Sequence, residues 1–371
     1  MRIPGPVLIF ALSLVIAALG DGAALAQSGT PSLSRDPLAP KTDGSEANVR
    51  QLAVVTLCTT DFESTRHFYR DGMGLRERGP LETSSDTRSS LRALWGLPKD
   101  IDWTEYVYDR PSLNGVASVR VLVLSKETPM IRTRRSGQDE GSLSMGFAVS
   151  DIKKAVARLE EAGFGTTAGV SELSLKRPDT GASYTVEETH FKAPDNVYAL
   201  GVARSAGMPP VGPIDPATGL GGPSYTGITL VDSNRFVAFL KDGLGFEIRR
   251  DIEMRTSGPL GGLALPEGTV FRFVQAFAPG STTGYLVLLD MKDRSLPNPT
   301  PPRPPSRGIA MWTFEVRDIQ LATERARAAG GTVVAGPTRL DRPPFGPHKA
   351  STTLAPGGLL IELVQRDATA R

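Results

Sequence analysis

Phe147-Ala148-Val149-Ser150-Asp151-Ile152 returns later in the chain as Phe314-Glu315-Val316-Arg317-Asp318-Ile319, at an offset of 167 residues (Asp151 to Asp318). The same offset carries Ala162-Gly163 onto Ala329-Gly330 and Ala168-Gly169 onto Ala335-Gly336. A second pair of segments matches at 171 residues (Asp61 to Asp232), which also superposes Phe68, Asp71, Gly72 and Gly74 on Phe239, Asp242, Gly243 and Gly245. A register held this long is the signature of an internal repeat, and here it orders the chain as two alternating module types, each present twice.

Each copy opens with a β-type run that passes directly into a helix. In the first, 51–59 alternates and is rich in Val and Thr. Thr60 is then expected as the helix N-cap, with Glu63 completing a capping box. Phe62, Thr65, Phe68 and Tyr69 form the buried stripe, and Gly72 or Gly74 stops the helix. The second helix places Ile152, Ala155, Val156 and Leu159 at i, i+3, i+4 and i+7. Short β-type runs follow each helix, closing on strong strands at 119–124, 197–202, 285–289 and 359–364. The unit is βαβββ, which predicts an α+β fold of four modules. Pro-rich and Gly-rich seams at 127–142, 205–224 and 295–306 separate them.

The N-terminus reads as an export signal. Arg2 is a positive n-region, 7–19 is almost wholly apolar, and Ala24-Leu25-Ala26 carries small residues where a signal peptidase reads. The apolar run is shorter than the roughly 20 residues of a spanning helix. The expectation is a signal peptide over 1–26, a disordered tether over 27–48, and a periplasmic or secreted protein with no membrane attachment after cleavage. Cleavage removes one base, Arg2, and one acid, Asp21, so the net charge of +2 is unchanged. Mixed charge of this kind gives no nucleic-acid footprint. Arg132, Arg134 and Arg135, followed by Asp139 and Glu140, read as a solvated linker. The single cysteine, Cys58, excludes an intrachain disulfide and any cysteine-pair zinc or redox site.

The string LCTTDFESTRHFYRDGMGLR, with Asp61, Phe68-Tyr69 and Gly72-Met73-Gly74-Leu75, resembles the opening of a vicinal oxygen chelate module. GFAVSDIKKAVARLEEAGF, WTFEVRDIQLATERARAAGG and LAPGGLLIELVQ resemble the second module of such a pair and its closing strand. This is the superfamily of glyoxalase I, bleomycin-resistance proteins and extradiol dioxygenases. The resemblance implies that modules 49–126 and 142–205 pair into one domain (49–205). After a linker at 206–222, modules 223–294 and 307–367 would pair into a second (223–367), each domain curving into a cup. In that family a divalent metal sits in the cup on His, Gln and Glu ligands. One ligand lies seven residues before the helix-opening Asp and another, a Glu, lies on the last strand. The first position here is Val54, Ser144, Tyr225 or Met311; the second is kept as Glu362 in the last module and is Leu200 in the second. The expectation is therefore no metal cofactor, since a site needs three or four matched ligands. The alternative is one divalent metal on displaced ligands such as His190 or His348.

Strand alternation directs Val54, Thr56 and Cys58 into the first cup and Tyr225, Thr229, Met311, Thr313 and Glu315 into the second, with Glu362 beside Leu360 and Val364. Glu362 and Glu315 are candidates for a general acid and base. Against that, Glu315 lies near a strand end in water, and an Arg could pair with Glu362. Tyr225, Tyr285 and Met311 are candidate ligand contacts, and Arg120 and Arg272, if inward, would favour an anionic ligand. Cys58 reads as a small buried hydrophobe. The function expected is an exported protein that binds a small organic molecule in a cup, similar to the bleomycin-resistance branch. Two alternatives stand beside it: a lyase, isomerase or dioxygenase-like enzyme using Glu362, and a protein-interaction domain.

Overall fold

A computed structural model describes residues 38–177, 180–256, 261–292, 296–298 and 300–367. The export signal expected at 1–26 and the first part of the tether lie outside these described residues. All four βαβββ modules are present. The first comprises β1 (Val49–Thr59), α1 (Phe62–Arg66), β2 (Arg76–Arg78), an added helix α2 (Ser85–Trp95), β3 (Trp103–Asp109) and β4 (Ser118–Leu124). The second is β5 (Gly141–Val149), α3 (Ile152–Glu161), β6 (Thr166–Lys176), β7 (Ser183–Lys192) and β8 (Tyr198–Arg204). The third is β9 (Leu220–Leu230), α4 (Ser233–Ala238), β10 (Glu247–Arg255), β11 (Val270–Phe277) and β12 (Tyr285–Asp290). The fourth is β13 (Gly308–Val316), α5 (Ile319–Ala328), β14 (Thr332–Arg342), β15 (Gly346–Leu354) and β16 (Leu360–Arg366).

The repeated Asp has a local cause. Asp61, Asp151, Asp232 and Asp318 are the four helix N-caps, each accepting hydrogen bonds from backbone N–H groups of the first turn. Thr60, expected as the first cap, instead donates to Glu127 at 2.7 Å. Asp61 takes the N–H of Ser64 at 3.0 Å, because its carboxylate is placed one residue nearer the turn. In the first and third modules the helix widens into a π turn before Gly72 and Gly243.

The strands form two eight-stranded sheets, and the order within them corrects the expected domains. One sheet runs β14-β15-β16-β13-β1-β4-β3-β2, joining the first module to the fourth; the other runs β10-β11-β12-β9-β5-β8-β7-β6, joining the second to the third. The antiparallel seams are β1 with β13 and β5 with β9. Strands of the first module therefore do not pair with those of the second, nor strands of the third with those of the fourth. Consecutive modules meet through their helices instead: Phe164 lies edge-on to Phe68 at 4.9 Å, and Arg158 donates to the Gly72 carbonyl at 2.7 Å.

Alternation then builds three cores. Val55, Leu57, Trp312, Phe314, Phe147 and Ile228 face the helices in one shared cluster. Val54, Cys58 and Met311 face the cup of the first sheet, and Tyr225, Tyr285 and Leu200 face that of the second. The described part of the tether is packed rather than loose, with Leu38 buried and its carbonyl accepting from Arg249 at 3.0 Å. The basic run is not a solvated linker either. Arg132 is buried and donates to the Asp139 carbonyl at 2.6 Å, while Arg134 grips the Asp139 carboxylate at 2.8 and 3.0 Å. These arginines brace the crossing between modules one and two. Among the described residues no helix is long and apolar enough to cross a membrane.

Candidate functional site

The two cups have opposite fates. The first is filled by the chain itself. Helix α2, capped by Ser84 and ended by Gly96 in the left-handed region (φ 64°), drops Leu91, Leu94 and Trp95 into it. The Trp95 indole N–H donates to Glu362 Oε1 at 2.9 Å. Arg120 Nη1 and the Thr313 hydroxyl donate to Glu362 Oε2 at 2.9 and 2.8 Å. Arg120 also lies 3.5 Å from Glu105, which accepts from Arg342 at 2.5 Å. Two acids and two bases thus alternate around the Trp95 ring, with both guanidinium carbons within 6 Å of it, at 5.2 and 5.7 Å. Burial pushes the Glu362 carboxyl up, but the Arg120 charge and the donated hydrogen bonds outweigh it and hold the group below the usual carboxylate range.

The family's metal does not fit this arrangement. Register makes Arg120 (opposite Thr56) and Glu362 (opposite Thr313) equivalent positions of the first and fourth modules. The four positions that would converge on a metal are therefore Val54, Arg120, Met311 and Glu362, and a guanidinium occupies the place of a cation. In the second cup the same four positions are Ser144, Leu200, Tyr225 and Val287. Among the described residues no group of three or more His, Cys, Asp or Glu is placed to hold a metal.

The second cup is open inside, with a cavity of about 160 Å³. A row of cross-strand neighbours, His190, Leu200, Gly146, Tyr225 and Tyr285, forms its floor. Gly146 is required there, because a Cβ at that position would lie 1.8 Å from a Tyr225 ring carbon. The Tyr225 ring lies across Gly146 and stacks on Tyr285 at 4.9 Å, which stacks on Phe277 at 4.5 Å. Val186, Glu188 and His190 project into the cavity from β7, and Leu173 and Leu175 from β6. Leu38, from the segment before β1, also lines it.

Glu188 is the site's chemical singularity. It faces the cavity and makes no hydrogen bond or ion pair with any described residue, and burial pushes its carboxyl up to about 7. Its field reaches the Tyr225 phenol, which burial first, then Tyr285 and Glu188, push far above the ordinary range. His190, edge-on to Tyr198 at 5.6 Å, is held neutral by burial, its value lowered to about 4. The cavity's guanidinium groups have partners of their own. Arg250 donates to Gln275 at 3.0 Å and to the Tyr184 hydroxyl at 3.4 Å; Arg204 donates to the Pro209 carbonyl at 2.8 Å.

Of the residues singled out in sequence, Tyr225 and Tyr285 do line this cavity. Glu362, Met311 and Arg120 belong to the other cup, because β13 and β16 join β1 rather than β9. Glu315 faces a wider surface groove and is held by Arg366 at 3.0 and 2.7 Å. Arg272 points outward, paired with Asp251 at 2.7 and 2.6 Å. His348 lies near Glu362 in the first cup, hydrogen-bonded to the Gly346 carbonyl at 2.6 Å. Glu188 was not singled out from sequence. Its only signal was the alternation Tyr184, Val186, Glu188, His190, and the adjacent Glu187 reads equally well until register is known.

The family model of the Glyoxalase/Bleomycin resistance protein/Dioxygenase superfamily matches residues 222–363. No curated protein sequence matches. Among solved structures, glyoxalase I from Zea mays is similar at 14% identity and a TM-score of 0.54, over 87% of this chain and 94% of that one. A putative dioxygenase from Bacillus subtilis is similar at 14% identity and a TM-score of 0.51, over 86% of each chain. At these identities the likeness is one of fold.

Proposed function

The chain belongs to the glyoxalase, bleomycin resistance protein and dioxygenase superfamily, and from that premise we propose that it binds a small organic molecule in the cavity of its second cup. The observation that carries this reading is the contrast between two equivalent cups: one is filled by Trp95 and a chain of buried ion pairs, the other keeps about 160 Å³ behind apolar walls. An engineered apolar cavity of about 150 Å³ holds benzene, so the volume suits a single ring or a short aliphatic chain. Leu143, Leu289, Phe271 and Phe273 would bury most of such a ligand, and the few polar groups would orient it. Binding is assigned to the chain's own side chains, with no divalent metal at the family position, because Ser144, Leu200, Tyr225 and Val287 are not a matched donor set.

The site of action is proposed to be the periplasm or the exterior, on the strength of the N-terminal sequence pattern alone. Protein recovered from outside the cytoplasm should begin at Gln27.

A ligand that binds only the folded protein raises its melting temperature by mass action. Small single-ring organic compounds are expected to stabilise the wild type, and Val287→Phe, which fills the cavity from β12, to remove the effect. Equal stabilisation of both proteins would place the binding elsewhere.

A further inference from the structure

The two cups are built on one register, and comparing them residue by residue shows what the second lacks. In the first module Arg120 on β4 stands opposite Val107 on β3, and Glu105 lies two residues before Val107 on the same face. In the second module Leu200 on β8 stands opposite His190 on β7, and Glu188 lies two residues before His190. Glu105 and Glu188 are therefore the same position in two copies. Glu105 is neutralised by two guanidinium groups, Arg120 at 3.5 Å and Arg342 at 2.5 Å. The residues in register with those arginines in the second cup are Leu200 and Thr256, and the Thr256 hydroxyl is spent on the Pro266 carbonyl at 2.7 Å. The carboxylate has been kept and both of its cations are absent. What stands beside it instead is the cavity.

Glu188 is half-buried, open only toward the cavity it lines, and a carboxylate drawn out of bulk water without a partner is unfavourable. Here no neighbour relieves it. The other titratable and charged groups lining the cavity are Tyr184, His190, Arg204, Tyr225, Arg250 and Tyr285. Arg204 and Arg250 are hydrogen-bonded elsewhere, and His190 is neutral. We propose that the missing cation is the ligand: the second cup receives a compact protonated amine, its ammonium group on Glu188 and its apolar body against Leu200, Val287 and the face of Tyr225. Aromatic faces favour the carbon groups next to an ammonium, which the Tyr225 and Tyr285 stack supplies. The inference rests on the small-molecule reading above and narrows it to a charge class.

The test compares matched probes on the full chain at pH 8, where Glu188 is ionised and simple alkylamines are protonated. Benzylamine and n-butylamine are titrated calorimetrically beside benzyl alcohol and n-butanol, and beside benzoate and butyrate. At least one amine is expected to bind tenfold or more tightly than its alcohol, and neither anion to bind. Glu188→Gln should bring that amine down to the affinity of its alcohol while leaving the alcohol unchanged. Amine affinity untouched by Glu188→Gln, or anions binding as well as amines, would overturn the cation assignment. Alcohols binding without preference for amines would overturn it too, while leaving the cavity reading in place. No heat and no thermal shift from any of the six probes would remove both.

Discussion

Glu188 and His190 sit two residues apart on β7, share one face, and are shifted in opposite directions by the same burial. Their linkage to folding has opposite signs. Glu188 is raised to about 7, so the folded protein retains a proton that the unfolded chain releases. Its favourable contribution is complete below the ordinary carboxylate range and is lost as the pH rises through about 7. His190 is lowered to about 4; its contribution is complete above the ordinary imidazole range and is lost as the pH falls through about 4. Between pH 4.5 and 6.5, roughly, the two slopes oppose each other. Glu188→Gln removes one of them. The variant should match the wild type near pH 4.5 and exceed it at pH 8 by up to about 3 kcal/mol, with stability that now rises with pH across the His190 window. Urea denaturation at a series of pH values measures this. A variant less stable than the wild type at pH 8 would mean that Glu188 has a partner inside the folded protein.

Helix α2 is the element that distinguishes the first cup from the second. It presents Leu91, Leu94 and Trp95 to a sheet face that would otherwise be an open bowl, and Thr352 anchors it by donating to the Leu94 carbonyl at 2.6 Å. Trp95 both fills volume and donates to Glu362. Trp95→Ala should therefore destabilise the protein by about 3–5 kcal/mol, the usual range for deleting a large buried aromatic side chain. Glu362→Gln, which leaves the space filled but removes the charge facing Arg120, should cost about 3 kcal/mol. Because Glu362 is held below the ordinary carboxylate range, its stabilisation is present at neutral pH and disappears as the pH falls through that lowered value. The difference between wild type and Glu362→Gln should shrink in acid. Neither change is expected to alter ligand affinity in the second cup. Melting temperature and affinity measured on the same two variants check both statements, and a loss of binding at unchanged stability would return Glu362 to a functional role.

At the scale of the whole molecule, each half of the chain supplies half of each sheet. Strand β1 finds its antiparallel neighbour in β13 and β5 finds its own in β9. A fragment spanning 38–208 would expose the edges of both β1 and β5, and unpaired edges of buried strands drive aggregation or exchange. Fragments 38–208 and 209–367 made separately are expected to lack a cooperative melt, and to regain it when expressed together as one complex. Circular dichroism and size-exclusion chromatography report the outcome. Two halves that each melt cooperatively as monomers would contradict the sheet order. The same crossing explains why the seams are structured. Residues 128–140 run beside 296–307, with bridges between Met130 and Arg307 and between Asp139 and Leu296, because both seams must pass between the two sheets.

The sequence by itself determined the module and its number. Asp61, Asp151, Asp232 and Asp318 cap helices through bonds to residues two or three positions away, and the alternation of Val54, Thr56 and Cys58 sets their face through backbone geometry alone. Such interactions are local, so they leave a readable period. Which modules share a sheet was decided only by tertiary structure. All four first strands are largely buried on both faces, and seams of a dozen or more residues let either pairing close, so nothing local separates them. The site followed that decision. Arg120 and Glu362 lie 242 residues apart in the chain, and only the joining of the first and fourth modules makes them an ion pair. The same event sends Glu362 into a filled cup and leaves Glu188, indistinguishable in sequence from its neighbour Glu187, facing the one that remains open.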